Sequence, residues 1–158
     1  MRAPATAATR VVASADPAAT TRLGRTLGAV AEAGDLVCLW GDLGAGKTHL
    51  AKAFAVGLGV TETVTSPSFV LMAEYRGRLP LFHIDPYRLA SADDALAGGL
   101  IDERQREGVT LVEWPERLGD ALPAARLDVR IEVTSDTTRT ITLVAGSDEY
   151  RRYLDAAA

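Results

Sequence analysis

Hydrophobic and polar positions alternate along this chain in short segments that predict both strands and helices. The apolar run at 36–40 is continuous, which is typical of a strand buried on both faces of a parallel sheet, and residues 108–113 predict another strand. Apolar segments that alternate with polar residues flank turns at 76–78 and 135–136, and each of these pairs predicts an antiparallel hairpin. The pattern therefore indicates a mixed sheet.

Helical spacing appears between these strands. Asp16 followed by Pro17 is a helix-start pattern, and leucines three or four residues apart continue it to Gly34. A second helix is predicted over 48–58, where Gly59 ends it. Further helices are predicted at 91–96, 115–122 and 147–154.

The composition narrows the class of protein. A chain of 158 residues with 47% hydrophobic and 24% charged residues has the balance of an ordinary globular domain. No apolar stretch approaches the roughly 20 residues that cross a bilayer. The single cysteine, Cys38, excludes an internal disulfide and fits a reducing cytoplasm. We expect residues 1–13 to be a flexible tail and 14–158 to be one domain.

The net charge of −4 bears on possible partners. A protein that wraps nucleic acid by itself needs a basic surface to neutralise phosphates, and this chain does not have that balance. Of its 17 basic residues only Lys47 and Lys52 are lysines. The charge argues against direct binding of nucleic acid but allows action beside a partner that binds it.

Residues 41–48 read G-D-L-G-A-G-K-T and match the phosphate-binding pattern G-x-x-x-x-G-K-[ST] at every fixed position. An apolar strand precedes the loop and a helical segment follows it, as the motif requires. Gly44 and Gly46 allow the backbone amides to point at phosphate oxygens, Lys47 can reach the β- and γ-phosphates, and Thr48 can bind Mg²⁺. The predicted fold is therefore α/β, a P-loop NTPase-like three-layer sandwich whose mixed sheet has a parallel core and antiparallel hairpins.

Two acidic residues follow predicted strands directly. Asp85 ends the segment 81–85 and Glu113 ends the segment 110–113. A magnesium-dependent phosphate site needs such a carboxylate to hold the metal or to orient water, although either acid could merely cap the next segment. His83 shares the face of Asp85 and is interpreted as a packed, hydrogen-bonded histidine rather than an acid–base group, while Trp114 is either a wall or a gate of the site.

The segment Thr65-Ser66-Pro67-Ser68-Phe69 carries three hydroxyl groups around a proline. It lies where P-loop proteins place a switch that senses the γ-phosphate. A plain Ser-Pro turn explains the same residues equally well.

Together these motifs resemble those of the bacterial TsaE family of YjeE-type P-loop ATPases. G-D-L-G-A-G-K-T at 41–48, S-P-S-F at 66–69, H-I-D-P-Y-R at 83–88 and E-W-P-E at 113–116 occur in the family's order and at matching separations. The resemblance covers residues 14–145. It implies a cytoplasmic ATPase required for threonylcarbamoylation (t6A) of adenosine 37 in tRNAs that read codons beginning with A. The family works with the TsaB–TsaD heterodimer, in which TsaD transfers the group, so contact with tRNA would be indirect.

The resemblance also implies roles for individual residues, with ATP and Mg²⁺ as cofactors. The implied nucleotide ligands are Gly44, Ala45, Gly46, Lys47, Thr48, His49 and Arg139. Thr48 and Glu113 would attend Mg²⁺, and the implied catalytic residues are Glu113, Asp85 and Lys47. The switch would include Thr65, Ser66 and Trp114. His49, Ser68 and Pro86 depart from the family pattern, but none of them replaces a phosphate or metal ligand.

Two other functions fit the same phosphate loop. A small-molecule kinase would need an Arg-rich lid and an acceptor pocket, and the sequence reveals neither. A nucleotide-gated binding module related to GTPases would carry an N-K-x-D segment, but no lysine follows Lys52. We expect a monomer that hydrolyses ATP slowly alone, because the loop itself supplies no arginine finger. Arg88 could supply one in cis.

Overall fold

The computed structural model describes residues 7–65, 72–87 and 103–158. Seven strands in these ranges form one sheet, in the spatial order β1-β7-β6-β2-β5-β4-β3. The strands are β1 (Ala8–Ser14), β2 (Leu36–Trp40), β3 (Met72–Arg76), β4 (Pro80–Ile84), β5 (Val109–Glu113), β6 (Leu127–Val133) and β7 (Arg139–Ala145). The α-helices described are α1 (Pro17–Ala29), α2 (Lys47–Gly57) and α3 (Arg151–Ala156).

The centre of the sheet is parallel and its margins are antiparallel. Strands β6, β2, β5 and β4 run in the same direction, with Leu39 opposite both Glu113 and Val129. The β3–β4 and β6–β7 pairs are the two predicted hairpins, and both are confirmed. The α/β class with a parallel core is likewise confirmed.

Each face of the sheet has its own core. On one face, residues such as Val37, Leu39 and Leu111 pack against the helices, which contribute Phe54 and Tyr153. On the other face, Leu36, Cys38, Ile84 and Val112 pack with Leu118. Leu118 lies between two 3₁₀ turns, Pro115–Arg117 and Gly119–Ala121, which replace the predicted helix at 115–122. The predicted helix at 91–96 lies outside the described residues.

Helices α1 and α2 contact each other through glycines. A Cβ atom at Gly28 would lie 2.1 Å from the carbonyl oxygen of Phe54, and one at Gly57 would lie 2.1 Å from that of Arg25. Any larger residue would push the helices apart. The close approach fixes α2, and therefore the loop that precedes it, against α1. Arg78 strengthens the pair, since its guanidinium donates to the carbonyl of Ala31 and its amide to that of Leu58.

The predicted flexible tail over 1–13 is wrong for residues 8–13. These residues form most of β1, which pairs antiparallel with β7 from Ala8 opposite Ala145 to Ser14 opposite Arg139. Because β1 is an edge strand whose core-side positions alternate with exposed ones, no long apolar run is needed; Val11, on the other face, is 64% exposed. Residues 1–6 lie outside the described part.

The remaining helices follow the sequence closely. The Asp16 side chain accepts a hydrogen bond from the amide of Ala19 at 2.8 Å, as predicted for an N-cap. Helix α1 ends at Ala29, five residues earlier than predicted, because residues 30–34 turn towards β2. The predicted helix at 147–154 begins as a 3₁₀ turn and continues as α3. No helix in the described ranges is long and apolar enough to cross a membrane.

Candidate functional site

The phosphate loop joins the end of β2 to the start of α2. Gly44 and Gly46 have φ angles of 82° and 111°, which residues other than glycine rarely adopt. A Cβ atom at either position would meet nothing within 4 Å, so the glycines are required by backbone conformation and the space beside them is open. The loop thus has the shape of an anion-binding concavity at a helix N-terminus.

Lys47 is the first residue of α2 and is 5% exposed. Its ammonium donates hydrogen bonds to the carbonyl oxygens of Gly41 and Asp42 within the loop, and it lies 3.6 Å from the centre of the Trp114 ring. Burial lowers the pKa of Lys47, while the nearby carboxylates of Glu116 and Glu113 partly offset that effect. Lys47 is therefore a cation held at the loop by carbonyl and aromatic contacts.

Glu113 ends β5 beside the loop and is 2% exposed. The Thr48 hydroxyl donates to its Oε1 at 2.8 Å, and Nε2 of His83 lies 2.6 Å from its Oε2. Both carboxylate oxygens are thus fixed, one by the loop helix and one by strand β4.

Asp85 directly follows β4 and is 5% exposed. Its Oδ1 accepts a hydrogen bond from the amide of Tyr87 at 3.1 Å, so it stabilises the following turn as well as facing the site. Because β2, β4 and β5 are parallel, their carboxyl ends meet at one edge of the sheet. That edge brings the two acids to the phosphate loop.

Trp114 forms the aromatic wall of the site. Among the described residues other than glycine, only Trp114 has a positive φ angle, 54°. Such a conformation costs about 1–3 kcal/mol and is concentrated at functional sites. The indole contacts the Tyr87 ring, with centroids 4.9 Å apart and planes inclined by 45°. This backbone geometry turns the ring over Lys47.

These groups surround a cleft of about 360 Å³. The predicted site residues that line it are Gly44, Gly46, Lys47, Thr48, His49, Asp85, Glu113 and Trp114. Thr65, by contrast, is exposed and outside this lining, and its amide lies 3.4 Å from the Tyr75 hydroxyl. Ser66 and Arg88 lie outside the described residues. The structure thus assembles the phosphate and acid groups, but it does not bring Thr65 to them.

A smaller recess of about 160 Å³ lies on the other side of the loop. Arg139 lines it and donates from Nε to the carbonyl of Ala45 at 2.9 Å. His49 lines both cavities, and its Nε2 lies 2.9 Å from the Thr21 hydroxyl of α1. Arg139 and His49 therefore both border the phosphate loop.

Sequence reasoning missed three parts of the site. Asp42 and Tyr87 line the cleft, and His83 contacts Glu113 behind it. Asp42 occupies a variable position of the motif, so no signal marked it. The alternation of β4 places His83 on the face of Asp85, but a contact with another strand cannot be deduced from that periodicity.

The donor atoms match the chemistry of a magnesium–phosphate site. The Thr48 hydroxyl and the carboxylates of Glu113 and Asp85 are hard oxygen ligands, which Mg²⁺ prefers. No group of three or more His, Cys, Asp or Glu residues within the described ranges could hold a metal alone. Proteins usually bind Mg²⁺ through one or two carboxylates together with substrate phosphates, and Glu113 and Asp85 are the two carboxylates that line this cleft beside Asp42.

Comparisons with known proteins agree with this geometry. The family model described as threonylcarbamoyl adenosine biosynthesis protein TsaE matches residues 14–141. The chain belongs to the TsaE family. It is 43% identical over 124 residues to the protein of that name from Treponema pallidum, covering 78% of this chain and 92% of the relative. The TsaE protein of Bacillus subtilis is 41% identical over 136 residues, 85% of each chain.

A solved structure gives the same result for the fold. The crystal structure of Bacillus subtilis YdiB matches with a TM-score of 0.79 and 34% identity, covering 98% of this chain and 97% of that one. The match extends beyond the phosphate loop to nearly the whole TsaE chain.

Proposed function

We propose that this TsaE protein binds and hydrolyses ATP in the cleft below its phosphate loop and thereby supports formation of threonylcarbamoyladenosine at position 37 of tRNA. The observation that carries the proposal is the contact between the Thr48 hydroxyl and the Glu113 carboxylate at 2.8 Å, beside Lys47. It joins the loop to the acid, as a metal-assisted phosphate site requires. The names of the relatives supply the pathway.

The residues of the loop and of the strand ends would have separate roles in binding phosphate, metal and water. Amides of residues 44–48 bind the phosphates, and Lys47 exchanges its carbonyl contacts for a phosphate oxygen. Thr48 and Glu113 would hold Mg²⁺, and the metal would supply positive charge beside the phosphates. Either Asp85 or Glu113 would orient the attacking water. The recess bordered by Arg139 and His49 offers space for the rest of the nucleotide.

The hydrolysis is expected to be slow in the isolated protein. Among the described residues, no hydrogen bond or ring contact joins an arginine to Lys47 or Thr48, and an arginine that stabilises the transition state is worth about 10³–10⁵ in rate. We propose that TsaB–TsaD completes the site and that TsaE resets this complex in the cytoplasm without transferring the threonylcarbamoyl group itself. The net charge of −4 agrees with indirect contact with tRNA.

Reconstitution tests this function directly. Formation of t6A is measured over several turnovers with TsaB, TsaD, the carbamoyl-adenylate synthase and either wild-type protein, Lys47→Ala or Glu113→Ala. Both variants are expected to stop after the first turnover. Lys52→Ala is the matched control, because Lys52 is exposed on the same helix and lies outside the cleft. Multiple turnovers by Lys47→Ala equal to wild type would contradict the proposal.

A further inference from the structure

His83 is a buried polar side chain that the proposed function leaves without a role. It is 0% exposed and lies in the middle of the sheet on β4, between β3 and β5. Its Nδ1 atom is buried and has no hydrogen-bond partner among the described residues. An unpaired buried nitrogen is costly, and a leucine like Leu81 or Leu111 would fill a core position without that cost.

The other ring nitrogen reaches Glu113. His83 is opposite Leu111 in the β4–β5 register, so Glu113 lies two residues further along β5 and on the same face. Nε2 is 2.6 Å from Oε2 of Glu113. A carboxylate only accepts hydrogen bonds, so Nε2 of His83 is assigned as the donor to Oε2 of Glu113. One N–H of the ring is thus committed to Glu113.

This contact decides where the Glu113 carboxylate points. Lys47 is close enough for Glu113 to favour its charged form, so the two side chains attract each other across the cleft. Thr48 fixes Oε1 alone, and a carboxylate fixed at one oxygen can rotate towards the ammonium. A donor on Oε2, on the side of β4, opposes that rotation.

We propose that His83 is a positioning residue that holds Glu113 in the orientation needed for Mg²⁺ and keeps it from pairing with Lys47. The inference rests on the proposed function, because it concerns how Glu113 serves the metal–nucleotide site. His83 itself lies outside the cleft lining and touches the site only through Glu113. Residues that orient a metal ligand in this way typically contribute 10- to 100-fold to metal affinity or activity.

The test measures how much Mg²⁺ tightens nucleotide binding. Titration calorimetry gives the Kd of ATPγS in Mg²⁺ and in EDTA, and their ratio reports the metal contribution alone. His83→Leu is expected to reduce this ratio about tenfold or more while the Kd in EDTA stays within about twofold. A merely structural role would change both values together.

Two polar variants of His83 test whether a hydrogen-bond donor is needed at the position of Nε2 or whether any polar side chain suffices. The amide nitrogen of glutamine can occupy the place of Nε2, whereas that of asparagine corresponds to Nδ1. His83→Gln should therefore recover most of the ratio and His83→Asn should not. This pair keeps the test decisive even if His83→Leu fails to fold.

Adding His83→Leu to Glu113→Gln should change the ratio little, because the carboxylate through which His83 acts is already altered. Equal ratios in the Gln and Asn variants, or an unchanged ratio in the Leu variant, would overturn the role of His83 alone. A wild-type protein that binds no ATPγS would overturn the proposed function and this inference with it.

Discussion

The two ends of strand β2 each carry a cluster of buried charged and polar groups, yet the clusters differ in kind. At the amino end, Asp35 is 7% exposed and accepts hydrogen bonds from Arg152, Tyr153 and the amide of Glu32. At the carboxyl end, Lys47, Thr48 and Glu113 meet beside an open loop and a cleft of about 360 Å³.

The two clusters differ in whether their polar groups are next to space that a ligand can enter. The Asp35 cluster satisfies its groups inside the protein and joins α3 to the start of β2, since the Tyr150 hydroxyl also accepts from the amide of Leu36. In the phosphate-loop cluster, by contrast, the Lys47 ammonium is held by carbonyls and an aromatic ring, next to space that a ligand can enter. Burial and ion pairing alone therefore do not mark a functional site. Open space beside backbone donors does.

Removing the charge of Lys47 is expected to give the largest effect. Lys47→Met keeps the length of the side chain but loses the ammonium, and hydrolysis of ATP should fall at least about 100-fold. The free energy of unfolding should change little, because the lost contacts are offset by the burial of an uncharged chain. Phosphate release and urea unfolding measure the two quantities, with Lys52→Met as the control. If Lys47→Met lowered the free energy of unfolding by as much as it raised the activation free energy of hydrolysis, the contrast between the two clusters would be contradicted.

Disrupting the other cluster should have the opposite outcome. Asp35→Ala removes the buried carboxylate that Arg152 and Tyr153 share and should lower the free energy of unfolding by about 3 kcal/mol. The nucleotide affinity of the folded protein should stay unchanged, since Asp35 lies at the far end of β2. Urea unfolding and titration with ATPγS provide the two measurements. Asp148→Ala is the control, because Asp148 is an exposed partner of Arg151 and should matter little.

Cys38, between the two clusters on β2, predicts how stability depends on pH. Burial raises the pKa of its thiol from 9.0 to about 12, and Asp128 adds to that effect. The folded state therefore keeps its proton where the unfolded state loses it. Stability from this group is complete below pH 9.0 and declines as pH rises towards 12. The loss should be about 1 kcal/mol at about pH 10.

Urea unfolding between about pH 8 and 10 measures this loss, and Cys38→Ala should reduce the slope. Burial also raises the pKa of Tyr150 and Tyr153, so part of the slope should remain. An identical slope in wild type and Cys38→Ala would show that the thiol is not responsible.

The smallest effect is expected at the edge of the phosphate loop. Arg139→Ala removes a hydrogen bond of 2.9 Å to the carbonyl of Ala45 and should weaken ATPγS binding about fivefold. Arg130→Ala is the matched control, because Arg130 packs on Trp40 rather than on the loop carbonyl. Equal affinities in both variants would place Arg139 outside the nucleotide site.

Local signals in the sequence predicted much of this molecule. The phosphate loop, the N-cap at Asp16 and both hairpins depend on residues close together in the chain, so their patterns are readable. Parallel strands also share an edge, which allowed Asp85 and Glu113 to be expected together. Strand β1 was missed because its partner, β7, lies more than 100 residues away and its own apolar run is short. The contacts of His83 and Trp114 depend on how different strands meet, and no periodicity encodes them.

The fate of the γ-phosphate of ATP tests the proposed site most directly. The full chain is incubated with Mg²⁺ and γ-labelled ATP in the presence of a metabolite mixture, with and without TsaB–TsaD. Label should appear as inorganic phosphate, slowly alone and faster with the partners, and Glu113→Gln should abolish its release. Transfer of label to a metabolite, or tighter binding of GTP than of ATP, would contradict this function.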